Sequence, residues 1–155
     1  MSIRRASPAD VPGIRRCLAA AFAPYEAQYS DRGYADTVPD EAGLRQRLTQ
    51  MTVLIAEDAA GAVVGTIGYE SAHGGVGHLR GMAVLPSYRG RGVAADLLTR
   101  AETDLAAAGC TRVTLDTTAP LLRAIAFYTR HGYQPTGVVG DFFGMPLFEY
   151  AKETA

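Results

Sequence analysis

Cysteine is scarce in this chain: Cys17 and Cys110 stand alone without CxxC spacing, so neither a thiolate zinc site nor a disulfide framework is expected. No His, Asp and Glu cluster has metal-ligand spacing either, and no metal is expected. Positive charge is not in excess. Lys and Arg number 15 against 16 Asp and Glu, a net charge of -1, which removes the basic footprint of a nucleic-acid binder. No apolar run is long enough to span a bilayer, and Met1-Ser2-Ile3-Arg4-Arg5 lacks a signal peptide's apolar stretch. The expectation is a cytoplasmic protein without a membrane partner. Repeats, low-complexity tracts and linkers are also missing. Residues 1–155 therefore read as one domain, large enough to bury a core without staples.

What is present alternates strands and helices. Ile3 to Ala6 suits a short strand. Ser7-Pro8-Ala9-Asp10 then starts a helix, with Ser7 as N-cap, Pro8 in the first turn and Asp10 closing a capping-box-like pair. Val11, Ile14, Leu18 and Phe22 follow at helical spacing. Periodicity is lost from Ala23 to Val38, and Leu44, Leu48 and Met51 mark a second short helix. Thr52 to Glu57, Ala62 to Glu70 and Val76 to Leu85 read as strands joined by short glycine-bearing links, the pattern of antiparallel hairpins. Ala94, Leu97, Leu98, Ala101, Leu105 and Ala108 form a helical stripe ended by Gly109. A strand (Thr111 to Thr117), a helix (Leu121 to Arg130) and two more strands (Tyr133 to Val139, Met145 to Ala151) complete the chain. The fold class is α+β, a mostly antiparallel mixed sheet flanked by helices.

The most informative stretch runs from Leu79 to Ala94. An apolar strand enters a Pro-initiated turn and then the basic loop Arg89-Gly90-Arg91-Gly92, which opens a long amphipathic helix. Glycines let backbone approach a ligand, and the first N–H groups of a helix have no internal partner. A pyrophosphate placed there gains those hydrogen bonds and the positive end of the helix dipole. Two other readings compete. One is a surface turn that only caps a helix. The other is a dinucleotide fingerprint, Gly90-x-Gly92-x-x-Ala95 with Asp116 about 20 residues on. Against the fingerprint stand the hairpin meander before it, Pro86-Ser87-Tyr88-Arg89 between strand and glycines, and too few helices after it. No Lys-Ser/Thr follows the glycines, so a Walker loop is excluded.

Arg89-Gly90-Arg91-Gly92-Val93-Ala94, with its lead-in Ala83-Val84-Leu85-Pro86-Ser87-Tyr88, resembles the Arg/Gln-x-x-Gly-x-Gly/Ala signature of the GNAT superfamily of N-acetyltransferases. Ala124 to Tyr133, a helix ending in Tyr and then Gly-aromatic, is similar to that family's later motif, and the element order agrees nearly end to end. The resemblance implies acetyl-CoA or a related acyl-CoA as co-substrate and a small-molecule or peptide amine as acceptor, attacked directly in a ternary complex. A homodimer is compatible with it. By the same resemblance the backbone of Gly90, Arg91, Gly92, Val93 and Ala94 holds the pyrophosphate, with side-chain charge from Arg89 and Arg91. Met82, Ala83 and Val84 fall where the family splays its central strands at a bulge and the pantetheine arm pairs with exposed backbone, and an N–H of that bulged strand near Ala83 or Val84 is the natural donor to the thioester oxygen.

Tyr128 falls on the family's tyrosine position, the proton donor to the departing thiolate. For the base, His78 shares strand parity with Met82 and Val84, and Glu70 on the preceding strand is the alternative. Tyr25, Glu26, Tyr29 and Tyr34 in the early loop, with Asp141, Phe142 and Phe143 in the late one, are candidate walls for a cationic acceptor. One departure stands out: Leu121 occupies the place of the Asn that commonly opens the later motif's helix, with Asp116 and Thr117 near enough to substitute. A rival of another class is an acyl-CoA-binding or sensing module that keeps the cradle without turnover.

Overall fold

Thr52–Glu57 sends alternate side chains into two different cores, and the whole architecture follows from that alternation. Val53 and Ile55 pack with Val11, Ile14, Cys17, Leu18, Ala21 and Leu44, whereas Leu54 and Ala56 pack with Val93, Leu97, Leu98, Ala101 and Leu105. A strand buried on both faces needs helices above and below it. The structure, a computed structural model describing residues 1–154, supplies them. The first core lies under α1 (Val11–Phe22) and α3 (Glu41–Gln50); the second lies under α4 (Val93–Ala107) and α5 (Leu122–Arg130).

The sheet holds β1 (Ser2–Arg5), β2 (Thr52–Glu57), β3 (Val63–Ser71), β4 (Val76–Val84), β5 (Arg112–Thr117), β6 (Gln134–Phe142) and β7 (Met145–Glu153) in the order β1-β2-β3-β4-β5-β7-β6. Every neighbouring pair is antiparallel except β4 and β5, which run parallel. The β2-β3-β4 meander matches the expected hairpins and removes the parallel crossovers that a dinucleotide fold requires. Helix α4 lies unusually close to this meander. A Cβ on Gly77 would stand 2.7 Å from Leu105 Cδ1, and one on Gly65 would stand 2.8 Å from Val93 Cγ1.

Two features depart from the sequence reading. The Ala23–Val38 stretch is not irregular: a 3-10 turn (Ala23–Gln28) leads to α2 (Asp31–Thr37), capped by Ser30, whose hydroxyl accepts from the Gly33 N–H at 3.2 Å. Seven residues are too few for a hydrophobic period to show. The second departure is the face that His78 takes on β4, and the bulge expected near Met82 is its cause. Thr66 pairs with Ala83 but Gly68 pairs with Arg80, so β4 carries one extra residue, and Gly81 takes a φ of +66° to accommodate it. The bulge swaps faces. Leu79 belongs to the α4 core, Ala83 to the α1 core, and Met82 and Val84 pack against the α4 core. His78 therefore points to the face opposite Met82 and Val84, and the shared parity expected from even numbering fails.

The same strand also leaves its neighbour. Parallel pairing with β5 covers only Val76–Leu79 against Arg112–Leu115, and β4 then runs on to Val84 without β5 beside it. Strand divergence of this kind opens a groove at the carboxyl ends of the two strands.

Candidate active site

The groove is a cleft of about 620 Å³, within the usual range for ligand sites. Its floor is Leu79 to Val84 of β4 and Leu115 to Thr118 at the end of β5. At one end stands the loop into α4. Gly90 and Gly92 have φ of +77° and +81°, and a Cβ on either would meet nothing within 4 Å. They are glycines for conformation, not for packing. Gly92 caps α4, whose ladder begins with the Asp96 N–H donating to the Gly92 carbonyl at 3.0 Å. The N–H groups of Val93, Ala94 and Ala95 come before that bond and have no helical acceptor.

Arg89, Gly90 and Ala94 line the cleft. Arg91, Gly92 and Val93, expected beside them, do not line it; the Arg91 guanidinium sits 4.8 Å over the Tyr88 ring, and the Tyr88 hydroxyl donates to Asp58 at 3.2 Å. Side-chain charge from Arg91 is thus directed away from the cradle. Val93 is buried against Gly65 and offers backbone alone. Arg123 and Arg130 of α5 line the cleft, and the sequence reading passed over both.

Tyr128 lines the cleft from α5 and is 8% exposed. Burial pushes its phenol above the ordinary value. Among the described residues its hydroxyl has no hydrogen-bond partner, while its ring is held edge-on by Phe127 and Tyr133 at 5.4 and 5.7 Å. Phe127 lines the cleft as well. Leu121 lines it at the N-cap of α5 and makes no side-chain cap. Beside it the Thr117 hydroxyl, 3% exposed by residue, has no partner among the described residues. Asp116 and Thr117 line the same cleft.

Both base candidates face the cleft from opposed positions, since Glu70 pairs with His78 across β3 and β4. Glu70 is exposed. His78 is held: Nδ1 lies 2.8 Å from Thr114 Oγ1, and Nε2 lies 3.4 Å from Asp116 Oδ2. Thr114 donates onward to the Gly77 carbonyl at 3.4 Å, which favours a protonated Nδ1 and leaves Nε2 facing the carboxylate. Burial, with the nearby charge of Glu149, holds the Asp116 carboxyl above the usual carboxylate range, against the pull of His78.

At the far end the sequence reading is corrected in part. Tyr25, Tyr29 and Phe142 line the cleft. Glu26, on the solvent side of the 3-10 turn, does not, and Tyr34 packs edge-on behind Tyr29 at 6.3 Å. Asp141 and Phe143 lie at the exposed tip of the β6–β7 hairpin, outside the cleft. Tyr29 also spends its hydroxyl on Thr118 Oγ1, 2.8 Å away. The ionic groups at this end are instead Asp36, Arg47 and Arg80. Arg47 was legible in principle: it continues the apolar row of Leu44, Leu48 and Met51, where a charge is out of place.

Neither a serine nor a cysteine lines the cleft among the described residues. Cys17 is buried against the Ala83 carbonyl, and burial pushes its thiol up to about 12. Among the described residues no group of three or more His, Cys, Asp or Glu could hold a metal, and no helix is long and apolar enough to cross a membrane.

Comparison with known proteins adds lineage to this geometry. N-alpha-acetyltransferase MAK3 of Arabidopsis thaliana is 39% identical over 57 residues, which cover 37% of this chain and only 30% of that protein. A crystal structure of PaiA N-acetyltransferase from Thermoplasma acidophilum, in complex with coenzyme A, superposes with a TM-score of 0.80 at 18% identity, covering 98% of both chains. Ribosomal-protein-alanine N-acetyltransferase from Brucella melitensis gives 0.75 at 22% identity, covering 99% of both. At those identities the two structures speak for the fold. The model of the acetyltransferase (GNAT) family matches residues 14–133, which include β4, the glycine loop, α4 and Tyr128, and the chain belongs to that family.

Proposed function

We propose that this acetyl-CoA-dependent acetyltransferase passes the acetyl group to a primary amine of a small molecule or peptide, both substrates lying in the cleft at once. One observation carries the reading. A single groove, opened where β4 leaves β5, holds the bare amides of α4 at one end and the His78–Asp116 pair beyond the bulge. Among the described residues neither a serine nor a cysteine lines it, which favours direct attack over an acyl-enzyme.

Residues 90–94 receive the pyrophosphate on backbone N–H groups, and Arg89, Arg123 and Arg130 add positive charge around it. The acyl arm runs beside Met82, Ala83 and Val84, on the edge of β4 that β5 leaves open. In the reaction the amine nitrogen bonds to the thioester carbon, and the charge on oxygen falls to an N–H of Ala83 or Val84. The carbon–sulfur bond breaks, Tyr128 donates its hydroxyl proton to sulfur, and the ammonium proton passes to Nε2 of His78. Asp116 stabilises the imidazolium so formed.

Thiol release from acetyl-CoA, followed across an amine panel, tests this. Tyr128→Phe is expected to lower kcat by about 10²-fold or more while acetyl-CoA still binds. Tight coenzyme A binding with no acceptor-dependent thiol release would favour the sensing module instead.

A further inference from the structure

Arg47 is the least expected residue in the cleft. It lies on the buried face of α3, is 8% exposed, and lines the acceptor end. Guanidinium offers five N–H donors and stays charged at neutral pH. In this protein only Nη2 is used, donating to the Asp36 main-chain carbonyl at 3.0 Å. Among the described residues Nε and Nη1 have no partner, and Arg47 forms no ion pair. Nη1 faces the bulge in the cleft floor, since a Cβ on Gly81 would stand 3.0 Å from it.

The charge around it does not balance. Asp36 gives its carboxylate to Arg80, 2.7 Å from Nη2, and leaves Arg47 only a carbonyl. Two guanidinium groups thus share one carboxylate. Burial and the repulsion of Arg80 pull Arg47 down to about 10, so it remains cationic at neutral pH. The Asp36 charge favours Arg47 only through space, against burial and Arg80; a buried cation with no ion pair of its own is costly, and a charge-assisted hydrogen bond would relieve it.

Resting on the acetyltransferase reading, we infer that Arg47 is the receptor for a carboxylate on the acceptor, which makes the acceptor an amine of the amino-acid type. The planar guanidinium suits a planar carboxylate, and Arg80 adds longer-range attraction at the same end. His78, on the same β4 segment, then faces the amine side of the bound molecule.

The test pairs free α-amino acids with their carboxamides as acceptors and compares kcat/KM in the wild type and in Arg47→Gln. The wild type is expected to favour the acids. Arg47→Gln should cost them about 10–100-fold and the carboxamides about threefold or less. Arg47→Lys should recover part of the loss. Acetyl-CoA affinity by calorimetry, unchanged in both variants, shows that the cleft has folded. Equal losses for acids and carboxamides, or a wild-type preference for carboxamides, would overturn the inference while leaving acetyl transfer intact. Thiol release with neither series but with other amines of the panel would overturn the inference and leave acetyl transfer intact, whereas release with no amine at all would remove both.

Discussion

Arg47 shows at the scale of one side chain how a binding site differs from a core. Its place beside Leu44 and Leu48 would stabilise the fold more if it were apolar, because the guanidinium is stripped of water and given one carbonyl in exchange. Arg47→Met should therefore raise the melting temperature at neutral pH. A gain of about 1 kcal/mol corresponds to roughly 2–4 °C in a domain of this size, measured by differential scanning calorimetry. Stability given up at a functional position is a common trade. A fall in melting temperature instead would mean that the stem of Arg47 packs better than methionine does. Tyr128 is the contrasting case. Its position was legible from the motif alone, and its unpartnered hydroxyl beside the cleft accords with that reading.

At the scale of elements, the sequence was most informative where periodicity runs long. Thr52–Glu57 emerges with the bounds read from the turn-forming link that follows it, and the α4 stripe of Leu97, Leu98, Ala101 and Leu105 is the buried face. Short-range chemistry hid the rest. Helix α2 depends on a Ser30 cap and shows no period, and although the resemblance implied a bulge near Met82, its effect on side-chain parity depends on Gly81 with its positive φ, which alternation counting ignores. That single residue reverses which side chains share a face with His78. The start of α4 poses its own test. Gly92 needs φ of +81° although nothing crowds its Cβ, so Gly92→Val strains the backbone without a clash in the core. Coenzyme A affinity, by calorimetry, should fall at least about tenfold, while far-ultraviolet circular dichroism keeps its shape. Unchanged affinity would place the pyrophosphate elsewhere.

For the molecule as a whole, the sheet couples residues that are distant in sequence. Asp116 on β5 lies opposite Glu149 on β7 and beside His78 on β4, so three strands set one proton equilibrium. Burial raises the Asp116 carboxyl and Glu149 adds to it, while His78 and Arg80 oppose them. Because its folded value lies above its unfolded one, the Asp116 contribution to stability is full at low pH. That contribution is lost as the pH rises through the folded value. Activity runs the other way, since the site must accept a proton: kcat/KM should climb as the pH rises and the accepting group loses its own proton. Glu149→Gln removes a negative charge, favours loss of the shared proton, and should shift that acidic limb to lower pH. Asp116→Asn should flatten kcat without equal damage to acetyl-CoA binding. A limb that stays in place in Glu149→Gln would show that the proton acceptor lies outside this cluster, with Glu70 across the strand as the next group to mutate.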